Sequence, residues 1–124
     1  MNVVTVDDYP TYSDLIIRYV SEEFEDAVFE RFTSAEELLE FLEEDPDYIA
    51  DVLFCDVEMG GMSGIELARQ IRDHYQIGSR VKKMMFVTSY RRLAFDYDGQ
   101  IIGRISKPFD KADIVDAVYE MTES

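Results

Sequence analysis

Residues 52–67 read VLFCDVEMGGMSGIEL, and the order of parts within this stretch decides the fold. Val52–Asp56 is a continuous apolar run closed by a carboxylate, the composition of a strand covered on both faces of a parallel sheet. A loop with Gly60, Gly61 and Gly64 follows. From about Ile65 to Tyr75 the apolar positions Ile65, Ala68 and Ile71 recur at helical spacing. Buried strand, glycine-rich loop and amphipathic helix together make one βα unit.

The same unit recurs on either side. Asn2–Asp7 (NVVTVD) is rich in β-branched residues and ends in acids, and Tyr12–Phe24 places Leu15, Ile16, Tyr19 and Val20 on one helical face. Ala27–Phe32 reads as a second strand. Ser34 then caps a helix, with Glu37 three residues on completing a capping-box pattern and Ala35, Leu38, Leu39 and Leu42 as the buried stripe. Lys83–Thr88 is the fourth strand, and Arg91–Tyr97 carries a short helix signal. Ile101–Ser106 is the fifth strand, stopped by Pro108, and Asp110 begins a final helix with Ile114, Val115, Val118 and Met121 facing inward. Five βα units predict an α/β fold: a (βα)5, flavodoxin-like three-layer sandwich with a parallel five-stranded sheet in the order 2-1-3-4-5.

The chain has 124 residues, 47% of them apolar, which suits one domain over residues 1–124. There are 27 acidic residues against 12 basic ones, a net charge of −15. Such acidity argues against direct binding of nucleic acid, which needs a basic face, and against an anionic membrane surface. No apolar run approaches the ~20 residues of a spanning helix, and the N-terminus lacks a signal-peptide layout. A single cysteine fits a reducing compartment, so a soluble cytoplasmic domain is expected. The charge is uneven: Glu22–Asp51 holds thirteen acids and one base, Arg31, a composition typical of a solvated face.

In such a sheet the working end lies at the carboxyl ends of the strands, beside the switch in strand order. Strand one ends there in Asp7 and Asp8, strand three in Asp56 and strand four in Thr88, while Lys107 and Pro108 follow strand five. Three converging carboxylates raise one another's pKa unless a cation neutralises them. All-oxygen ligation of this hardness suits Mg²⁺, with Mn²⁺ the alternative ion. A lysine and a hydroxyl opposite the carboxylates suit an incoming phosphoryl group, with Asp56 as nucleophile.

At these residues the sequence resembles a known family. The Asp7-Asp8 pair, the segment FCDVEMGGMSGIEL (Phe54–Leu67), the strand end FVTS (Phe86–Ser89) and SKPF (Ser106–Phe109) together resemble the CheY-like receiver domain of two-component response regulators. The resemblance runs from Val3 to about Met121. It implies that Asp56 accepts a phosphoryl group from a histidine kinase. It also implies that Asp8 and Asp56 ligate Mg²⁺ together with the Glu58 backbone carbonyl, while Asp7 assists through metal-bound water. Thr88 and Lys107 would contact the phosphoryl oxygens, and the Lys107–Pro108 peptide would be cis. Phosphorylation would shift the surface around the fourth strand, fourth helix and fifth strand. Such a domain catalyses its own phosphorylation and dephosphorylation and turns over no separate substrate. Within the family, Arg91–Phe109 resembles receivers joined to LytTR-type DNA-binding domains, through Ala94, Phe95 and Tyr97. Transcriptional output would then come from a DNA-binding domain outside this chain.

Two departures from the family pattern stand out. Arg104 occupies the position, three before Lys107, where the family usually carries an aromatic switch residue. Arg104 or the nearby Tyr90 is therefore expected to take over part of the output surface. Met59-Gly60-Gly61 replaces the usual Met-Pro-Gly, and two adjacent glycines lose more chain entropy on ordering, so a more mobile loop is expected. Glu58 either reaches the site or points outward. Mixed charges at Arg91, Arg92, Asp96, Asp98, Arg104 and Lys111 suit a homodimer through the fourth and fifth elements. Cys55 reads as a small core residue and His74 as a helix-end surface residue. Two other classes compete: a receiver fold that serves only as a protein-interaction module, and a haloacid dehalogenase-type phosphotransferase. The latter expects Asp-x-Asp after strand one, where Tyr9 stands.

Overall fold

The computed structural model describes residues 1–93 and 95–123. In chain order the elements are β1 (Asn2–Val6), α1 (Pro10–Glu23), β2 (Val28–Phe32), α2 (Ala35–Glu44), β3 (Val52–Asp56) and α3 (Gly64–Asp73). After them come the one-turn helix α4 (Tyr75–Gly78), β4 (Met84–Thr88), β5 (Ile101–Ser106) and α5 (Lys111–Thr122). All strand pairs are parallel, in the order β2-β1-β3-β4-β5. The expected flavodoxin-like sheet is therefore present, and β1 and β3, at the switch in strand order, lie side by side.

Strand periodicity sorts the core into two layers. Val4, Val6, Leu53, Cys55, Met84 and Phe86 join the α2 and α3 residues Leu38, Leu42, Leu67 and Ile71. Val3, Val52, Phe54, Met85 and Val87 join Ile16 and Val20 of α1 and Ile114, Val118 and Met121 of α5. Successive residues of β3 and β4 thus serve opposite layers, which is why both strands are buried throughout. Inside the helices the burial differs slightly from expectation: Leu67 of α3 and Ala117 of α5 are buried, whereas Ile65, Leu39 and Val115 are half-buried.

Helix starts follow local chemistry. Ser34 Oγ accepts from Glu37 N at 3.1 Å, as expected of an N-cap. The reciprocal bond is displaced by one residue, because Glu37 Oε1 accepts from the Thr33 backbone N–H at 2.8 Å. The complete capping box is at α5, where Asp110 and Asp113 each accept from the other's backbone N–H. Ser63 caps α3 through Glu66 N at 3.1 Å, a Ser-x-x-Glu signal that the sequence also carries.

The connection from β4 to β5 corrects one expectation. The helix expected at Arg91–Tyr97 is not found: among the described residues none lies between β4 and β5. Leu93 and Phe95 pack on the α2/α3 layer, with the Phe95 ring 5.3 Å from that of Phe86 and nearly perpendicular to it, at 84°. Arg72 of α3 holds the segment from outside, its guanidinium 4.6 Å over the Phe95 ring and 3.5 Å from Asp98 Oδ1. Tertiary contacts of Phe95 outweigh a weak helical propensity. Ala94, part of the subfamily pattern, and Ser124 lie outside the described residues. No described helix is long and apolar enough to cross a membrane.

Candidate functional site

The carboxyl ends of β1, β3 and β4 bring the expected residues together. Asp7 follows β1 directly, Asp56 ends β3 and Thr88 ends β4, and all three are buried. Asp8 is exposed. Asp7, Asp8 and Asp56 each offer a carboxylate oxygen, and these oxygens lie within 4.8 Å of one another. Hard oxygen donors this close fit a divalent cation such as Mg²⁺. Glu58, whose backbone carbonyl is the further candidate ligand, lines the same hollow, together with Thr88, Ser89 and Lys107.

Lys107, placed by the turn after β5, reaches into the carboxylates. Its Nζ donates to Asp7 Oδ2 at 2.8 Å and lies 3.3 Å from Asp56 Oδ1. Its side chain is only 9% exposed, so the ammonium is held rather than solvated. Burial pulls the Lys107 pKa down, but the Asp7 hydrogen bond and the charges of both carboxylates outweigh it, and the net shift is upward. Asp56 moves the other way for an acid: burial first, and then the Asp7 charge, push its carboxyl from 3.8 up to about 6, with Lys107 pulling partly back. The Lys107–Pro108 peptide is cis.

The remaining candidates are more peripheral. The Thr88 hydroxyl accepts from Tyr90 N at 3.1 Å. Tyr90 is 43% exposed, and its hydroxyl donates to Glu58 Oε2 at 2.6 Å. The Glu58 side chain is therefore engaged at the rim of the hollow. Arg104 stands opposite Phe86 in the β4–β5 register, and its Nη2 donates to Ser106 Oγ at 3.2 Å. Of the charges suited to a dimer contact, Asp98 is paired with Arg72, and Lys111 with Glu22 and Glu23. Cys55 is buried, and burial together with the Asp56 and Asp7 charges pushes its thiol up, as for an inert core residue. His74 is exposed at the end of α3.

Two features of the loop after Asp56 were not singled out by sequence. Gly64 packs so closely that a Cβ there would run into the Asp56 carbonyl oxygen, and Gly64 N donates to Val57 O at 2.8 Å. Gly61 has φ +80°, and α2 ties this loop through Glu36, whose Oε2 accepts from Met62 N at 3.2 Å. A third omission is Tyr12 in the first turn of α1, whose ring covers the Lys107 ammonium at 4.1 Å. Sequence placed Tyr12 at a helix start but carried no signal of that contact.

Solved structures share this architecture. The putative response regulator from Chloroflexus aurantiacus is 20% identical over 99% of this chain and 98% of that one, with a TM-score of 0.81. Chemotaxis response regulator CheY4 of Vibrio cholerae is 19% identical over 97% of both chains, with a TM-score of 0.77. The signal receiver domain of the putative response regulator NarL from Mycobacterium tuberculosis is 22% identical over 99% of this chain and 96% of that one, with a TM-score of 0.76. These likenesses speak to the fold. No curated protein matches the chain at a significant level. The response regulator receiver domain family matches residues 3–119, nearly the whole chain, and the protein belongs to that family.

Proposed function

We propose that this domain is a phosphorylation switch in which Asp56 takes a phosphoryl group from the phosphohistidine of a histidine kinase. The observation that supports it most is Lys107 Nζ poised between Asp7 and Asp56, 3.3 Å from the proposed nucleophile. An Asp56 carboxylate oxygen forms the new bond to phosphorus while the phosphorus–nitrogen bond of the donor breaks, and the departing imidazole takes a proton from water. Asp8, Asp56 and the Glu58 carbonyl are the residues that would hold Mg²⁺, with Asp7 assisting; the ion supplies positive charge against the phosphoryl oxygens. Lys107 neutralises one phosphoryl oxygen. Thr88, whose oxygen already accepts from Tyr90 N, donates its proton to another. The chemistry ends with hydrolysis of the same aspartyl phosphate, so no separate substrate turns over.

The output surface of this reading is the β4–β5 connection with Tyr90 and Arg104, and its setting is the cytoplasm. Homodimerisation through the fourth and fifth elements falls to Arg91, Arg92, Asp96 and Arg104, because Asp98 and Lys111 have partners within the chain. Transcriptional output through a DNA-binding domain of the LytTR type is the form that the Ala94-Phe95-x-Tyr97 pattern supports.

Acetyl phosphate with Mg²⁺ tests the proposal directly. The expected result is an intact-mass gain of one phosphoryl group, absent in Asp56→Asn. No gain in the wild-type protein would favour the interaction-module reading instead.

A further inference from the structure

We propose that Tyr12 is a positioning residue for Lys107, holding its ammonium against Asp7 and Asp56 through the face of the aromatic ring. This rests on the phosphoryl-site reading and assigns that site a residue outside its acids, hydroxyl and lysine.

Lys107 Nζ lies 2.8 Å from Asp7 Oδ2, 3.3 Å from Asp56 Oδ1 and 4.1 Å from the Tyr12 ring centroid. A lysine ammonium is a strongly hydrated point charge on a flexible stem, and left alone it extends toward water. The Asp7 and Asp56 carboxylates attract it by charge. An aromatic face beside it attracts the cation through its quadrupole and at the same time occupies space that water would fill. The small exposure of the Lys107 side chain, 9%, agrees with such a closed arrangement.

The ring is itself fixed. Tyr12 lies in the first turn of α1, whose first helical residue is Pro10, and the chain entering that helix is tied to the site because Tyr9 N donates to Asp7 Oδ1 at 2.8 Å. The two oxygens of Asp7 are thus divided, one to the start of α1 and one to Lys107. The Tyr12 ring packs on Tyr9 at 5.7 Å and on Phe109 at 5.9 Å, and Phe109 packs on Tyr19 at 6.4 Å. Phe109 is two residues beyond Lys107, so one aromatic wall joins α1 to the turn that carries the lysine. Tyr12 acts on the phosphoryl group only through Lys107.

The test uses the full chain and two readouts. The first is the proton shift of the Lys107 ε-methylene, which is bonded to the ammonium that lies 4.1 Å from the Tyr12 ring centroid and is thereby brought within reach of its ring current. It is expected upfield in the wild type, retained in Tyr12→Phe and in Tyr19→Leu, and returned to the ordinary position in Tyr12→Met. The second is the rate of aspartyl-phosphate formation from acetyl phosphate with Mg²⁺. Tyr12→Phe and Tyr19→Leu are expected within about twofold of wild type, and Tyr12→Met about tenfold slower. An unshifted ε-methylene in the wild type overturns the proposal. So does a wild-type rate in Tyr12→Met, or a loss in Tyr12→Phe or Tyr19→Leu as large as in Tyr12→Met, which would assign the effect to the hydroxyl or to packing. If the wild type takes up no phosphoryl group, the phosphoacceptor reading fails, and the Lys107 resonance alone then decides whether Tyr12 holds the ammonium. That resonance, in the wild type and Tyr12→Phe, also decides the matter if Tyr12→Met does not fold.

Discussion

Lys107 and Asp7, one hundred residues apart in the chain, meet in a 2.8 Å hydrogen bond between Nζ and Oδ2. The bond joins the end of the first strand to the turn after the last. It also puts a positive charge beside Asp7 and Asp56, two carboxylates that would otherwise repel one another. Much of the electrostatic behaviour of this domain follows from that placement.

Asp56 has a folded-state pKa of about 6 against an ordinary 3.8, so between these values the native protein keeps a proton that the unfolded chain has released. Stability therefore falls as pH rises through that window, by on the order of 2–3 kcal/mol. Asp56→Asn removes the charge and is expected to stabilise the metal-free protein by about 2 kcal/mol at neutral pH, with the two proteins converging near pH 4. Urea denaturation at both pH values measures this. A variant less stable than wild type at pH 7 contradicts it.

Mg²⁺ should raise the thermal midpoint, because an ion that binds only the folded carboxylate cluster stabilises it by mass action. At ten times its dissociation constant the gain is about 1.4 kcal/mol. With a net charge of −15, general screening also contributes, so the comparison is made against NaCl of equal ionic strength. Asp8→Asn is expected to lose the Mg²⁺-specific part and keep the screening part. Equal midpoints in the two salts for the wild type would exclude a specific site.

Lys107→Met leaves Asp7 and Asp56 buried without their cation and is expected to cost on the order of 2–4 kcal/mol at neutral pH. Lowering the pH protonates the carboxylates and narrows the gap. Lys107 itself titrates above its ordinary 10.5, so its stabilisation is complete below that pH and is lost only in more alkaline solution, as pH rises through the raised value. Chemical denaturation of the variant across pH 4 to 8 checks the trend; a constant difference would refute it.

Gly64→Ala tests the close approach of α3 to the end of β3. Its Cβ would meet the Asp56 carbonyl oxygen, which is backbone and cannot step aside. The expected loss is on the order of 1–3 kcal/mol, with slower phosphoryl uptake because Asp56 is displaced. Gly60 has open space at the same position of its side chain, so Gly60→Ala serves as the mild comparison.

Phe95→Ala removes the ring that pins the β4–β5 connection to Phe86. About 1–2 kcal/mol of stability should go with a half-buried ring of this size. Amide hydrogen exchange should rise in residues 95–98 more than in α5. Equal protection in both proteins would show that Arg72 alone secures the segment.

Much of this was legible in the sequence because it is local. The β-branched runs, the apolar run VLFCD and the helical stripes of Ile16, Leu38, Ile71 and Ile114 reflect repeats of two and 3.6 residues that any window reveals. Arg91–Tyr97 was misread for the complementary reason. Its helix signal is weak, and what holds Phe95 in place is a ring on β4 and an arginine on α3. Likewise Glu37 was placed rightly in its cap, but its partner proved to be Thr33, a choice made by geometry that residue type does not encode.

The sequence by itself determined the layers of this protein and which residues stand at the strand ends, because alternation and strand-end chemistry are properties of neighbouring residues. Only the tertiary structure decided what those residues do to one another. It closed the three carboxylates to within 4.8 Å, set Lys107 among them, raised Asp56 to about 6 and laid the Tyr12 ring over the ammonium. These are through-space quantities. They depend on separation and burial between segments far apart in the chain, and local pattern carries neither.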